Sequence, residues 1–150
     1  MSTARDIMTT RVVTLSPTTD ITAAARLLLE HDINGAPVVD EAGTIVGILT
    51  QSDLVRLQKK LPVPSLFTVL DGFLPLGSPA QYEQEVRRIA AATVADAMTT
   101  HVTTITPDTP LEKVASLMVD KKFHTLPVVD NGRLVGIVGK KDVIQTLLRA

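Results

Sequence analysis

The sequence contains no cysteine among its 150 residues, so neither a disulfide framework nor thiolate chemistry is available to the folded chain. It also has almost no net charge, because 15 basic residues stand against 16 acidic ones. No long-range field therefore attracts the chain to nucleic acid or to an anionic membrane, and we expect neither as a partner. A hydrophobic content of 45% is enough for a folded core.

Long uninterrupted apolar runs are also absent. The most apolar stretch, residues 61–76, contains three prolines together with Asp71 and Gly72, and therefore cannot form a membrane-spanning helix. The first eight residues carry Arg5 and Asp6 and lack the apolar segment of a signal peptide. We expect a protein without membrane segments that resides in the cytoplasm.

Recognisable catalytic motifs are missing as well. The chain has no Gly-x-Gly-x-x-Gly, no P-loop and no nucleophile with an adjacent base. Its histidines, such as His31 and His101, lack the partner spacing of a metal site. We therefore expect a protein that is not an enzyme and that holds no metal through its own side chains.

What the sequence does contain is an internal repeat. A shift of 90 positions aligns residues 6–17 with 96–107, and it aligns the Pro-Val-Val-Asp segment at 37–40 with the one at 127–130. One residue is lost at the following turn, and a shift of 89 aligns the remainder of each copy. A hairpin tip is the expected place for such a change in length.

Both copies predict the same elements in the order strand, helix, strand, strand, helix, which is an α+β fold. Apolar residues at helical spacing indicate the helices, and short β-branched runs around a turn indicate a hairpin. Thr109 and Glu112 additionally predict a capping box with Pro110 at the first helical position. The helices and hairpin strands are expected at 21–29, 36–39, 45–49 and 53–60, and at 111–119, 126–129, 134–138 and 142–148.

The two copies define the domain organisation. Repeats are expected at 1–60 and 94–150, and because each unit of about 50 residues is too small for a core of its own, they should pack on each other through their sheets. The insertion between them, 61–93, is too long for a structureless connection. It combines an apolar segment with helix-forming sequence and could be a flap or an oligomer contact; we favour the oligomer contact.

One junction in each copy could bind an anion. The segment from Gly47 to Asp53 runs from a strand into a helix, and free N–H groups at such a junction can hold a phosphate. Asp53 itself has two interpretations, a helix cap or a carboxylate that accepts hydrogen bonds from ribose hydroxyls. Local sequence favours the cap. The recurrence of this residue as Asp142 is consistent with both interpretations.

The duplicated order Asp-x-Met-Thr, Thr-x-x-Pro, Pro-Val-Val-Asp and Gly-Ile-x-x-x-x-Asp resembles paired cystathionine-β-synthase (CBS) domains, also called a Bateman module. The resemblance covers nearly the whole chain apart from the insertion. It implies two repeats packed about a pseudo-twofold axis, with two clefts that can hold AMP, ATP or S-adenosylmethionine. It also implies association into a homodimer.

The resemblance implies a principal cleft around Asp53, whose carboxylate would bind ribose while Thr50 and Ser52 offer hydroxyls to phosphate. Phe123, which would close over the base, is equally consistent with ordinary core packing. The other residues implied for this cleft are Asn34, Gly35, Ile48, Thr100 and Val102.

A second cleft is implied around Asp142, and it departs from the family pattern. Gly139 stands where the first copy has Thr50, so a hydroxyl is missing. Lys140 and Lys141 follow, and they could neutralise phosphate or simply face solvent. The other residues implied for this cleft are Thr10, Val12, Ile33, His124, Thr125 and Ile137, of which His124 could equally be a bystander.

Two functions are consistent with these features. The first is a non-catalytic regulatory module that binds an adenosine-containing ligand between its repeats and signals to a separate effector protein. The alternative is a structural dimerisation or adaptor protein whose clefts are empty, which the glycine at position 139 favours for half of the molecule.

Overall fold

The structure of the chain, a computed structural model, describes residues 2–60 and 92–148. The apolar part of the predicted insertion lies outside the described residues. So does its helix-forming sequence, which was expected at 81–92, apart from Ala92. Within the described ranges, no helix has the length and apolar character needed to cross a lipid bilayer.

The described elements form two similar sets, and the predicted α+β class is confirmed. Each set opens with a single helical turn that the sequence did not predict. The predicted first strand of each repeat is reduced to isolated β-bridges. Within its own repeat, each segment forms a parallel bridge, between Leu15 and Val38 in the first repeat and between Ile105 and Val128 in the second. In chain order the elements are α1 (Ala4–Ile7), α2 (Ile21–Glu30), β1 (Gly35–Val39), β2 (Ile45–Thr50), α3 (Gln51–Lys60), α4 (Val94–Ala97), α5 (Leu111–Asp120), β3 (Thr125–Asp130), β4 (Arg133–Gly139), α6 (Lys140–Gln145) and a final 3₁₀ turn (Thr146–Leu148).

The two predicted hairpins are present as antiparallel pairs, β1 with β2 and β3 with β4. Their turns contain residues with positive φ, namely Gly43 at 83° in the first and Asn131 at 52° with Gly132 at 79° in the second. Asn-Gly is the preferred sequence for a two-residue turn with positive φ at both positions. The tighter turn of the second hairpin is therefore explained by its sequence.

The predicted capping box at Thr109 is wrong. Pro110 is the N-cap of α5, and the Thr109 hydroxyl instead accepts a hydrogen bond from the backbone N–H of Thr106 at 3.0 Å. The first N–H of α5, that of Leu111, donates to the carbonyl of Ser2 at 3.0 Å. The N-terminal segment of the chain therefore satisfies a helix end that local sequence leaves open.

Each hydrophobic core is assembled from both repeats. The core of the first repeat, built on residues such as Leu28 and Val38, also includes Ala92 and Val94 from the segment that opens the second repeat. The core of the second repeat likewise includes the segment that opens the first, through Ala4 and Ile7. Because each core needs residues from the other copy, the two repeats form one folding unit.

The hairpins are also bridged across the repeats. Thr99 exchanges two backbone hydrogen bonds with Ile48 of β2, both at 2.9 Å, and Thr9 exchanges two with Ile137 of β4, at 2.8 and 2.9 Å. The two repeats are thus packed through their sheets about a pseudo-twofold axis. As a result, the junction from β2 to α3 faces the opening segment of the second repeat, and the junction from β4 to α6 faces that of the first.

Candidate functional site

Two clefts lie between the repeats, one at each strand-to-helix junction. The Asp53 cleft, at the start of α3, has a volume of about 280 Å³, and the Asp142 cleft, at the start of α6, has a volume of about 250 Å³. Both volumes are near the lower limit of roughly 300 Å³ for small-molecule sites. Each cleft has one wall from each repeat, so a ligand would touch both.

Asp53 lies at the bottom of its cleft and caps α3. Its side chain is only 2% exposed, and its Oδ2 accepts a hydrogen bond from the backbone N–H of Thr50 at 3.0 Å. The Thr50 hydroxyl oxygen accepts one from the N–H of Asp53 at 3.1 Å, which completes a capping box. Asp53 thus acts as a helix cap in the structure, as the local sequence favoured.

The second carboxylate oxygen of Asp53 accepts a hydrogen bond from a residue of each repeat. Its Oδ1 accepts hydrogen bonds from Arg56 Nη1 and from the Thr99 hydroxyl, each at 2.9 Å. A carboxylate has about four acceptor positions, and three of those of Asp53 are therefore in use. A ribose diol would take the remaining position on Oδ2 and compete with Arg56 or Thr99 for Oδ1.

Among the described residues, Asp142 accepts fewer hydrogen bonds than Asp53 does. Its Oδ2 accepts a hydrogen bond from the N–H of Gly139 at 2.8 Å, and its Oδ1 accepts a longer one from the Thr9 hydroxyl at 3.3 Å. Gly139 has no hydroxyl to return the cap, and Gln145 stands where the first repeat has Arg56. Asp142 forms no ion pair with any side chain of the described ranges. This carboxylate has more unused acceptor capacity than Asp53.

The Asp142 cleft contains an ion pair between the repeats. Lys141 Nζ of α6 contacts Asp32 Oδ2 of the turn after α2. The hydrogen bond and the charge of Lys141 lower the pKa of Asp32, which is therefore ionised at neutral pH. Lys140 lines the same cleft. The sequence did not decide whether Lys140 and Lys141 bind phosphate or only face solvent. Both lysines lie at this cleft.

Many of the residues implied by the family resemblance lie where it places them. Those lining the Asp53 cleft are Asn34, Ile48, Thr50, Ser52, Asp53, Val102 and Phe123. Those lining the Asp142 cleft are Ile33, His124, Thr125, Ile137, Lys141 and Asp142. Whether they bind a ligand stays a prediction.

Four implied residues lie elsewhere. Gly35 lines the Asp142 cleft, whereas Thr100, Thr10 and Val12 line neither cleft. The bridge to β2 directs the Thr99 hydroxyl towards Asp53, and the chain bends at the next residue, Thr100, which does not line the cleft. In the first repeat the lining residues of the equivalent segment are Thr9, Arg11 and Val13.

Several lining residues were missed from the sequence. In the Asp53 cleft they include Arg56 and the pair Lys121 and Lys122. In the Asp142 cleft they include His31 and Asp32, which occupy the equivalent turn of the first repeat. The spacing of Arg56, three residues after Asp53 on one helix, was a usable signal for an ion pair.

The two clefts adjoin each other near the pseudo-twofold axis. Asn34, His124 and Thr125 line both of them. Asn34 and His124 are equivalent positions of the two repeats under the shift of 90, so the boundary between the clefts carries an amide on one side and an imidazole on the other. No cluster of three or more His, Asp or Glu side chains that could hold a metal ion occurs within residues 2–58 and 92–148.

Comparison with known proteins gives matches along most of the chain. The family model described as the CBS domain matches twice, over residues 4–60 and 94–149. Protein MJ1426 of Methanocaldococcus jannaschii is 32% identical over an alignment 154 positions long, which covers 96% of this chain and 90% of that protein.

Solved structures match over a similar extent. The crystal structure of CBSX2 of Arabidopsis thaliana in complex with AMP has a TM-score of 0.74 and 29% identity, covering 99% of this chain and 98% of that one. The chain spans 64% of the full-length chloroplastic CBSX2. The CBS domain pair of protein MJ0100, in complex with 5′-methylthioadenosine and S-adenosylmethionine, has a TM-score of 0.72 at 27% identity, covering 99% of this chain and 98% of that one.

Proposed function

Because the chain belongs to the CBS domain family, with a repeat in each half, we propose that it is a non-catalytic regulatory module that binds an adenosine-containing ligand in the clefts between its repeats. The ligands we propose are AMP, ATP and S-adenosylmethionine. Relatives of the same fold support this choice, since one has been crystallised with AMP and another with 5′-methylthioadenosine and S-adenosylmethionine.

The observation that carries the proposal is the position of the two carboxylates. Asp53 and Asp142 each lie at a strand-to-helix junction, in a cleft with walls from both repeats. A carboxylate in this position accepts hydrogen bonds from a ribose diol, while the hydroxyls of Thr50 and Ser52 can donate to a phosphate beside Asp53. Ile48 and Phe123 supply apolar surface for the base.

Ligand binding in such a cleft would alter the contact between the repeats, and we propose that a separate effector protein responds to that change. A ligand that takes Oδ1 of Asp53 would weaken the hydrogen bond from Thr99, which joins the two repeats. We also propose the cytoplasm as the compartment of this activity.

We also propose that the module works as a homodimer. Four of the six exposed large apolar side chains in the described residues occur at equivalent positions of the two repeats: Leu29 is 73% exposed and Val119 74%, while Val55 is 66% exposed and Ile144 58%. The other two are Leu147 and Leu148 at the end of the described chain. Apolar side chains repeated on the helical surface of both copies suit a self-complementary interface.

The alternative is an adaptor or dimerisation protein whose clefts hold no ligand. It is favoured by the three protein donors already on Asp53 and by the missing hydroxyl at Gly139.

Isothermal titration of the chain with AMP, ATP and S-adenosylmethionine distinguishes the two functions. Binding of at least one ligand with a Kd well below about 1 mM, equivalent to roughly 4 kcal/mol, supports the regulatory module. Binding of none supports the adaptor.

A further inference from the structure

The two clefts differ in charge at one pair of equivalent residues. Asp32 and Lys122 are related by the shift of 90 and follow the C-caps of α2 and α5. Both have positive φ, 51° for Asp32 and 58° for Lys122, so their backbones hold the same left-handed conformation. Asp32 lines the Asp142 cleft and Lys122 lines the Asp53 cleft.

A lysine is an unusual residue for this conformation. The left-handed position after a helix is most often glycine or asparagine, because other side chains are strained there. Aspartate tolerates it better than lysine does. Strain of this kind is typically retained where a side chain has a function at that place, which here is the mouth of a cleft.

The partners of the two residues also differ. Asp32 is paired with Lys141, whereas the residue equivalent to Lys141 in the first repeat is Ser52, which has no charge. Within the described ranges neither Lys121 nor Lys122 has a carboxylate at ion-pair distance. Two ammonium groups at the Asp53 cleft are thus not neutralised by those residues.

The balance of lining charges therefore differs between the clefts. In the Asp53 cleft, Arg56 neutralises Asp53, and the charges of Lys121 and Lys122 remain. In the Asp142 cleft, Asp32 neutralises Lys141, and Asp142 offsets one of the two other cations, Arg11 and Lys140. That cleft therefore retains one positive charge where the Asp53 cleft retains two. Asp32 would also repel a further phosphate that approached. A ligand phosphate in that cleft must compete with Asp32 for Lys141.

We propose that this residue pair sets the phosphate content of the ligand in each cleft: the Asp53 cleft, with Lys122, takes a nucleoside di- or triphosphate, and the Asp142 cleft, with Asp32, takes an adenosine ligand with at most one phosphate. The proposal rests on the proposed function, because it concerns the ligands of the same clefts. It makes position 32 and position 122 determinants of specificity.

The test compares the affinities for ATP and AMP by isothermal titration. The wild-type chain is expected to bind one ATP per chain, and Lys122→Asp should weaken ATP binding about tenfold or more while changing AMP binding much less. Asp32→Lys should add a second ATP per chain. The two substitutions exchange residues that the fold already accepts in this conformation.

Lys113→Asp is the matched control, because it makes the same change in net charge on the exposed surface of α5 and lines neither cleft. The proposal is overturned if Lys122→Asp leaves the ratio of ATP to AMP affinity equal to that of Lys113→Asp, or if Asp32→Lys adds no ATP site. A wild-type chain that binds none of the adenosine ligands overturns the proposed function itself, and this is a different result from binding without discrimination.

Discussion

Thr99 of the second repeat donates its hydroxyl hydrogen to the carboxylate of Asp53 in the first, over 2.9 Å. The same threonine exchanges two backbone hydrogen bonds with Ile48, so the position of this hydroxyl is set by the pairing of the repeats. Asp53 therefore has three roles in one place: it caps α3, it pairs with Arg56, and it joins the two repeats. The proposed ligand would add a fourth.

Replacement of Asp53 by asparagine should weaken binding of AMP or ATP in the Asp53 cleft by about tenfold or more, because the neutral amide loses a charged hydrogen bond to the ligand. It should also lower the free energy of unfolding by about 1 to 3 kcal/mol, since the buried carboxylate of Asp53 loses its charge and, with it, the charged hydrogen bonds from Thr99 and from the exposed Arg56. Isothermal titration at a temperature well below the Tm measures the loss of binding, and urea unfolding measures the loss of stability.

Asp96→Asn is the control for the loss of a helix cap. Asp96 forms the same kind of capping box, with Oδ2 accepting from the N–H of Thr93 at 2.8 Å, but it lines neither cleft. The control should bind nucleotide as the wild type does. If Asp53→Asn also binds normally, the assignment of ribose to Asp53 is wrong.

Replacement of Asp142 by asparagine should affect the other cleft alone. Asp142 makes one good hydrogen bond within the described part of the chain, to the N–H of Gly139, and no ion pair there, so its loss should destabilise the fold less than the loss of Asp53. In a chain that binds two ligands, titration of Asp142→Asn should show one. Two unchanged binding events would show that Asp142 does not contact the ligand.

The sequence predicted the parts of the site that follow from the repeat. Asp53 and Asp142 lie in equivalent clefts because the two copies align, whereas Thr50 and Ser52, which Gly139 and Lys141 replace in the second copy, were implied by the family resemblance alone. The side of an extended segment that faces a cleft depends on its pairing register, which a single sequence does not reveal. Thr100 was therefore chosen where the structure has Thr99.

The contact of Lys141 with Asp32 could not be predicted in the same way. These residues are far apart in the chain, and they meet only because the repeats pack with α6 beside the turn after α2. The predicted capping box at the start of α5 was wrong for a similar reason, because the first N–H of α5 donates to the carbonyl of Ser2 in the other repeat. Local sequence rules predict contacts between residues that are close in the chain, whereas these contacts join residues of different repeats.

The stability of the fold should decrease in acid, in part through Asp20 and Asp32. The hydrogen bond from the Thr22 hydroxyl lowers the pKa of Asp20, and Lys141 lowers the pKa of Asp32, in both cases from an ordinary value of 3.8. A carboxylate with a lower pKa in the folded state stabilises the fold while ionised. This contribution is complete above the unfolded pKa and is lost as the pH falls through the lower, folded pKa.

Urea unfolding at a series of pH values tests this expectation. The free energy of unfolding should fall below about pH 4, and Asp20→Asn should reduce it at neutral pH and make the acid dependence shallower. Glu41→Gln removes a charge from a side chain that accepts no hydrogen bond within the described ranges, and it should leave the profile unchanged in shape. An Asp20→Asn profile parallel to that of the wild type would contradict the assignment.

Replacement of Gly47 by alanine should destabilise the contact between the repeats. A Cβ atom at this position would lie 2.6 Å from Met98 Sδ and 3.0 Å from the backbone oxygen of Thr99, so the Met98 side chain must move and the Thr99 backbone must shift by a few tenths of an ångström. Overpacking of this kind costs about 1 to 3 kcal/mol. Because the same movement displaces the hydroxyl that contacts Asp53, the loss of stability should be accompanied by weaker binding in the Asp53 cleft.

Gly139→Ser is the matched control for stability. A Cβ atom at Gly139 meets nothing closer than Asp142 Oδ2 at 3.8 Å, and its φ of −107° is acceptable to any residue. Serine is also a preferred N-cap, so the substitution should change the free energy of unfolding by less than about 0.5 kcal/mol. Urea unfolding of the two variants beside the wild type gives the comparison. Equal stability of Gly47→Ala and Gly139→Ser would mean that the Met98 side chain and the Thr99 backbone can move aside without cost, and that the close approach at Gly47 does not fix the position of the Asp53 cleft.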